Sequence, residues 1–209
     1  RGHLERDEHG FFNQLELTQK VDLASMPHQI LYGLELGRQN KGLLSISQNN
    51  VGTVSLFNPV LPVVSPVLTA APSANNDSVF SVASAYVQDM VTLAPEWKLL
   101  AGVRYDRFRQ ETDNYTPGSV NLGRTDVAWS PRVGLVYQPS NVLSYYASFS
   151  KSFQPSGETF ALAANNAQLA PEKTSSREVG VKWDVLDGKA SANAALFEIG
   201  KDVAHHLLD

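Results

Sequence analysis

The sequence predicts an all-β chain of antiparallel, up-and-down strands that form part of a transmembrane β-barrel. Three observations carry that expectation. Apolar and polar residues alternate with period two in successive runs. The breaks between runs are alternately short and long, and aromatic residues sit at both ends of the runs with the parity of the apolar face. An ordinary β-sandwich has no reason to keep all its long loops on one side.

Bulk composition sets the outer bounds. A chain of 209 residues with 43% apolar and 18% charged residues is not disordered. No apolar run approaches the roughly 18 residues of a spanning helix. The net charge of −4 and the lack of a Lys/Arg cluster point away from nucleic acid. With no cysteine, disulfides, thiolate metal sites and a cysteine nucleophile are excluded. Residues 1–10 are charged and turn-like without an apolar leader core, which leaves a cytoplasmic chain, or a mature or internal piece of a longer one.

In order, Phe11, Leu15, Leu17, Val21 and Leu23 share one parity and predict a strand over 11–23. A turn at Ser25, Met26 and Pro27 leads to a second strand carrying Ile30, Tyr32, Leu34 and Leu36. Residues 39–79, rich in Asn, Ser and Pro, read as a long loop. A strand over 80–93, a turn at 94–96 and a strand from Trp97 to Asp106 follow, then a second long loop over 109–127. Trp129, Pro131, Val133, Leu135 and Tyr137 alternate up to the turn Pro139-Ser140-Asn141, and Leu143, Tyr145, Ala147 and Phe149 continue beyond it. A third loop is expected over 153–176. Val179, Val181 and Trp183 mark the next strand, and Leu186-Asp187-Gly188-Lys189 signals a type I′ hairpin. The last strand, 190–199, has a facing blurred by Ala194-Ala195.

Trp97, Tyr137 and Trp183 lie next to short turns, whereas Tyr105, Trp129 and Phe149 lie toward long loops. This is the two-girdle arrangement of a lipid-facing barrel. The opposite parity holds Glu16, Lys20, Glu35, Arg104, Asp106, Arg132, Glu178 and Lys182, which are expected to face the lumen, clear of hydrocarbon. A soluble sandwich with six core aromatics is the competing reading.

Several phrases resemble the TonB-dependent outer-membrane receptors, above all the siderophore receptors. They are Ala85-Tyr86-Val87-Gln88-Asp89 with Trp97 through Asp106, Ser130 through Tyr137, Tyr146 through Pro155, Leu169 through Thr174 with Glu178 through Lys182, and Leu56 through Val60. The resemblance spans residues 11–200. It implies a receptor that imports a ferric siderophore through a plugged outer-membrane barrel of about 22 strands. It also implies an N-terminal plug that contacts TonB, with energy supplied through the TonB–ExbB–ExbD system. On that reading residues 1–209 are a partial barrel domain of about eight strands, without the plug and without the last barrel strands. After Lys201 the chain departs from the family pattern. Two alternatives are a complete small eight-stranded outer-membrane barrel acting as an anchor or adhesin, and a soluble carbohydrate-binding β-sandwich.

No Gly-x-Ser-x-Gly, phosphate loop or His-Glu-x-x-His is present, so no catalytic role is expected. His205-His206, adjacent on an extended chain, point apart and chelate one ion poorly. His3 and His9 near Glu5, Asp7 and Glu8 read as a solvated segment. Ligand binding is the expected chemistry: Phe57, Tyr115, Arg124, Phe153 and Phe160 on long loops offer stacking, cation–π and charge-assisted contacts to a chelate. No cofactor is expected to be held by the protein; iron arrives inside the siderophore. The remaining expected partner is outer-membrane lipid, not nucleic acid.

Overall fold

Eight strands form one antiparallel sheet in which each pairs with its neighbours in sequence, in the order β1 to β8. They are β1 (Gly2–Leu23), β2 (Met26–Ser47), β3 (Pro72–Ala94), β4 (Trp97–Asn114), β5 (Leu122–Ser140), β6 (Leu143–Gln154), β7 (Glu172–Val185) and β8 (Ala190–Asp202). The computed structural model describes residues 2–47, 55–57, 59–60, 70–155, 162, 170–185 and 189–202. Among the described residues there is no helix, no second sheet, and no ladder joining β1 to β8. The sandwich alternative therefore lacks its second layer, and the small closed barrel lacks its closing ladder.

Every expected strand is present, and most are longer than the alternation of apolar residues indicated. Residues 2–10, expected to be turn-like, pair in register with β2 from Gly2↔Ser47 downward. The long loops shrink to 48–71, 115–121 and 155–171. Residues 39–47, 72–79, 109–114 and 122–127 are strand because backbone pairing continues past the point where the outward side chains stop being apolar. Short connections stay at the other end: Ala24-Ser25, Pro95-Glu96, Asn141-Val142 and residues 186–189. Ala24 and Ser25 have φ of 50° and 65°, the two positive values of a type I′ loop, so the first turn falls one residue before Ser25-Met26-Pro27. Of the Asp-Gly hairpin, residues 186–188 lie outside the described residues.

Register sorts the side chains into two faces, since directly paired residues project to the same side. One row runs Leu15↔Leu34↔Ala85↔Tyr105↔Trp129 across β1 to β5, and another runs Leu135↔Ala147↔Val179↔Leu196 across β5 to β8. The second row settles β8: Ala192, Ala194 and Leu196 belong to the apolar face. That face is bare. Trp129 is 64% exposed and Leu196 77%, while the buried hydrophobic residues among those described are Phe80, Val91, Ala128 and Leu162. A sheet with its apolar side outside and its polar side inside is built for lipid. Trp97 stacks on Tyr137 (4.5 Å) near the short turns, and Tyr105 meets Trp129 (4.9 Å) toward the long loops. Phe149, expected in the upper girdle, sits opposite Val133, midway between Tyr137 and Trp129.

Candidate functional site

The polar face carries the chemistry, and it is organised in rows by the ladder. One row aligns Glu16, Gly33, Tyr86, Arg104 and Ser130 across β1 to β5. Tyr86 lies flat over Gly33, where a Cβ would come within 1.9 Å of the ring, so only glycine fits beneath it. The Tyr86 hydroxyl donates to Glu16 and accepts from Gln14 Nε2 at 2.9 Å. Arg104 lies over the Tyr86 ring, 5.5 Å from its centroid. Its Nε donates to Asp106 Oδ1 (2.7 Å) and its Nη2 to Glu35 Oε2 (2.9 Å). Ser84 completes the group by donating to Asp106 at 2.6 Å. Two carboxylates on one guanidinium give a rigid, half-buried, charge-assisted cluster.

A second unit sits on β6 and β7. Tyr146 lies over its cross-strand partner Gly180 and donates to Glu178, with Lys182 Nζ 5.6 Å from the ring centroid. All eight charged residues expected in the lumen share this face.

Above the arginine cluster the same face turns aromatic. Phe12 covers Gly37, Phe80 and Phe108 lie 6.2 Å apart, and Lys41 Nζ stands 5.0 Å from the Phe80 centroid. These rings, with Phe153, Glu35 and Asp106, line a cavity of about 230 Å³ toward the long-loop end. Phe153 reaches it because the β5–β6 ladder stops at Arg132↔Ser150, beside Pro131, which has no N–H to give. Beyond that point the top of β6 leaves β5 and crosses inward. Leu162, from the 155–171 segment, comes down to the same end; its backbone N–H donates to Thr112 Oγ1 at 3.3 Å.

Of the five expected ligand residues, Phe57 is on the 48–71 loop and 97% exposed. Tyr115 opens the 115–121 loop, and its hydroxyl donates to Asp77 Oδ2 at 3.2 Å, which holds the phenol above its usual range. Arg124 is a correction: it is on β5, not a loop, and its Nε donates to Asp126 at 2.7 Å on the inner face. Phe153 is likewise on β6, not a loop. Phe160 lies outside the described residues. Of the four described, Phe153 is the one that lines the aromatic cavity. Alternation that puts apolar residues on the lipid face passes over Phe12, Phe80 and Phe108, which share the inward parity. The signal was there in the polar parity itself, which runs Arg104, Asp106, Phe108, Gln110, Thr112 without a break.

The family model described as TonB dependent receptor-like, beta-barrel matches residues 2–202. The metal-pseudopaline receptor CntO of Pseudomonas aeruginosa is 33% identical over 204 residues, covering 92% of this chain and 28% of that protein. The probable TonB-dependent siderophore receptor PiuA of Acinetobacter baumannii is 28% identical over 225 residues, covering 93% and 30%. The crystal structure of the siderophore receptor PiuA superposes with a TM-score of 0.75 at 25% identity, over 93% of this chain and 32% of that one. The ferric-catecholate import receptor Fiu of Escherichia coli K12 gives 0.75 at 23% identity, over 92% and 31%, a likeness of fold. The chain thus spans about 28–30% of the length of these curated relatives.

Proposed function

Because this chain belongs to the TonB-dependent receptor-like β-barrel family, outer-membrane receptors rather than enzymes, we propose that the whole protein imports a ferric siderophore or a similar metal chelate. Energy would come through TonB with its ExbB and ExbD partners, by way of a plug domain in the remainder of the protein. The eight strands described would be one sector of its barrel wall. Iron travels as cargo inside the chelate and is not a resident cofactor. No catalytic step belongs to this reading.

The observation that carries the proposal is the two-faced register. Apolar residues predominate on the outward face between the two girdles, and the inner wall rises from a locked Arg–carboxylate cluster to an aromatic cavity toward the long-loop end. Aromatic faces beside ordered charges suit a chelate with flat, oxygen-rich rings. Phe153 in the cavity would meet the chelate together with Phe57 and Tyr115 of the long loops, and Phe160, outside the described residues, would join them. Arg124, ion-paired with Asp126 on the inner wall, would present its guanidinium edge from β5.

The test is uptake of radiolabelled iron by cells lacking their own receptors and carrying the full gene, across catecholate, hydroxamate and mixed chelates. Uptake of at least one chelate, lost when TonB is deleted, is the expected result. Rates equal to the empty-vector strain across the whole panel would sink the proposal.

A further inference from the structure

The inward face is polar over most of its length, but not near the short turns of β2–β5. There Leu31, Met90, Leu100 and Val136 carry the inward parity, in three rows of the ladder. Gly102 and Gly134 stand among them, and a Cβ built on Gly134 would lie 3.8 Å from the Leu100 Cβ, on the same face. Met90 is 38% exposed and the other three side chains are half-buried. None of the six carries an aromatic ring, unlike the cavity toward the long loops. Lys20 on β1, Lys98 on β4 and Arg132 on β5 surround the patch in the same rows. None of these three cations is in an ion pair among the described residues. Asp22 is the one described acid that β1–β5 place in those rows.

An aliphatic patch facing a water-filled lumen gains nothing there, so it marks a surface that another element covers. The stretch shared with CntO is 28% of that protein, which is therefore about three and a half times as long. A barrel of about 22 strands needs under three times these eight, and barrels of that size have a plugged lumen. The surplus, on the order of 150 residues, is enough for one domain inside the wall. Aliphatic packing without rings suits a folded domain, whereas the aromatic cavity suits a chelate. We propose that the patch on β2–β5 is where the plug domain of the whole protein seats, in a dry contact set low on the wall. The plug covers it with aliphatic side chains, and plug carboxylates meet Lys20, Lys98 and Arg132 at the rim. The Arg104 cluster above already has its two carboxylates, so the seat with free positive charge lies below it. This rests on the plug-and-barrel reading above.

The experiment uses the full-length protein in detergent micelles, free of chelate, with the photoreactive residue p-benzoylphenylalanine placed at Leu100, at Val136 or at the outward Val133. After irradiation, crosslinked peptides are identified by mass spectrometry. Leu100 and Val136 are expected to crosslink to the plug domain, outside residues 1–209, and Val133 is not. A water-soluble carbodiimide, which joins an amine to a carboxylate, should couple Lys20 or Lys98 to Asp or Glu of that same domain. Crosslinks from Leu100 and Val136 confined to barrel strands, or none at all, would overturn the proposal. Lysine crosslinks to Asp22 alone would overturn it as well, since the rim would then have no outside partner. Heat-shifted migration on SDS gels shows which substituted proteins fold, and the carbodiimide arm needs no substitution. Crosslinks that fail while iron uptake is intact defeat the seat alone; uptake lost across the chelate panel with the crosslinks intact defeats the import reading alone.

Discussion

Ala24 and Ser25 hold the left-handed backbone that a two-residue hairpin demands, yet neither is a residue that adopts it readily. Replacing them with Asn-Gly keeps the turn and relieves the strain, a gain of about 1 kcal/mol. It should appear as a higher denaturation midpoint of the full-length protein in micelles. Tyr115 offers a second residue-scale readout. Its hydroxyl donates to Asp77, so its pKa lies above the ordinary 10.0. A raised folded pKa means that this contact contributes fully below pH 10.0 and is lost only as pH rises through the higher folded value. Difference absorbance of phenolate between the parent and Tyr115→Phe should titrate above 10.0, and Asp77→Asn should move it back down. On the apolar side, His28 Nδ1 and Asp89 Oδ2 are 2.6 Å apart near the short-turn end. His28→Ala would strand a carboxylate among outward apolar neighbours and should weaken the barrel more than Val21→Ala in the same row.

Strands confer opposite fates on neighbours, because period two sends alternate side chains to lipid and lumen. Val133 on β5 lies midway between the girdle residues Tyr137 and Trp129, and it faces out. Val133→Arg is expected to cost about 2–4 kcal/mol, as a charge at mid-membrane does. Ser148 on β6 faces in, opposite Glu178, so Ser148→Arg gains a partner and should be close to neutral. Unfolding midpoints of both variants in lipid vesicles check this, and equal losses would mean the faces are misassigned. The aromatic–glycine pairs Tyr86–Gly33 and Tyr146–Gly180 act at the same scale. A flat ring on a bare backbone keeps the inner wall smooth, and Gly33→Val should displace Tyr86 and loosen its bond to Glu16.

At the scale of the whole molecule the sheet is open. Among the described residues β1 and β8 each pair on one side only, and nearly every residue along both is exposed. Unpaired strand edges are not tolerated in lipid. Residues 1–209 expressed alone should therefore give no heat-shifted barrel band and should aggregate, whereas the full-length protein should migrate as a folded barrel.

The alternation of residues 11–199 by itself determined the number of strands, their order, the side that faces lipid and the end that carries the long loops. Those features follow from a local rule, side chains alternating along an extended chain. It fell short wherever pairing outlasts amphipathicity: residues 2–10, 39–47, 72–79, 109–114 and 122–127 carry polar residues on both faces, so their strand character comes only from the neighbour they bond. The candidate site was legible in part. Glu35, Arg104 and Asp106 were recognisable as inward residues from parity, but bringing Glu35 to Arg104, 69 residues away, depends on the register of β2 on β3 and of β3 on β4. The aromatic cavity was decided by tertiary structure alone. Phe12, Phe80, Phe108 and Phe153 come from four different strands, and only the inward path of β6 beyond the Pro131 break brings the last of them to the others.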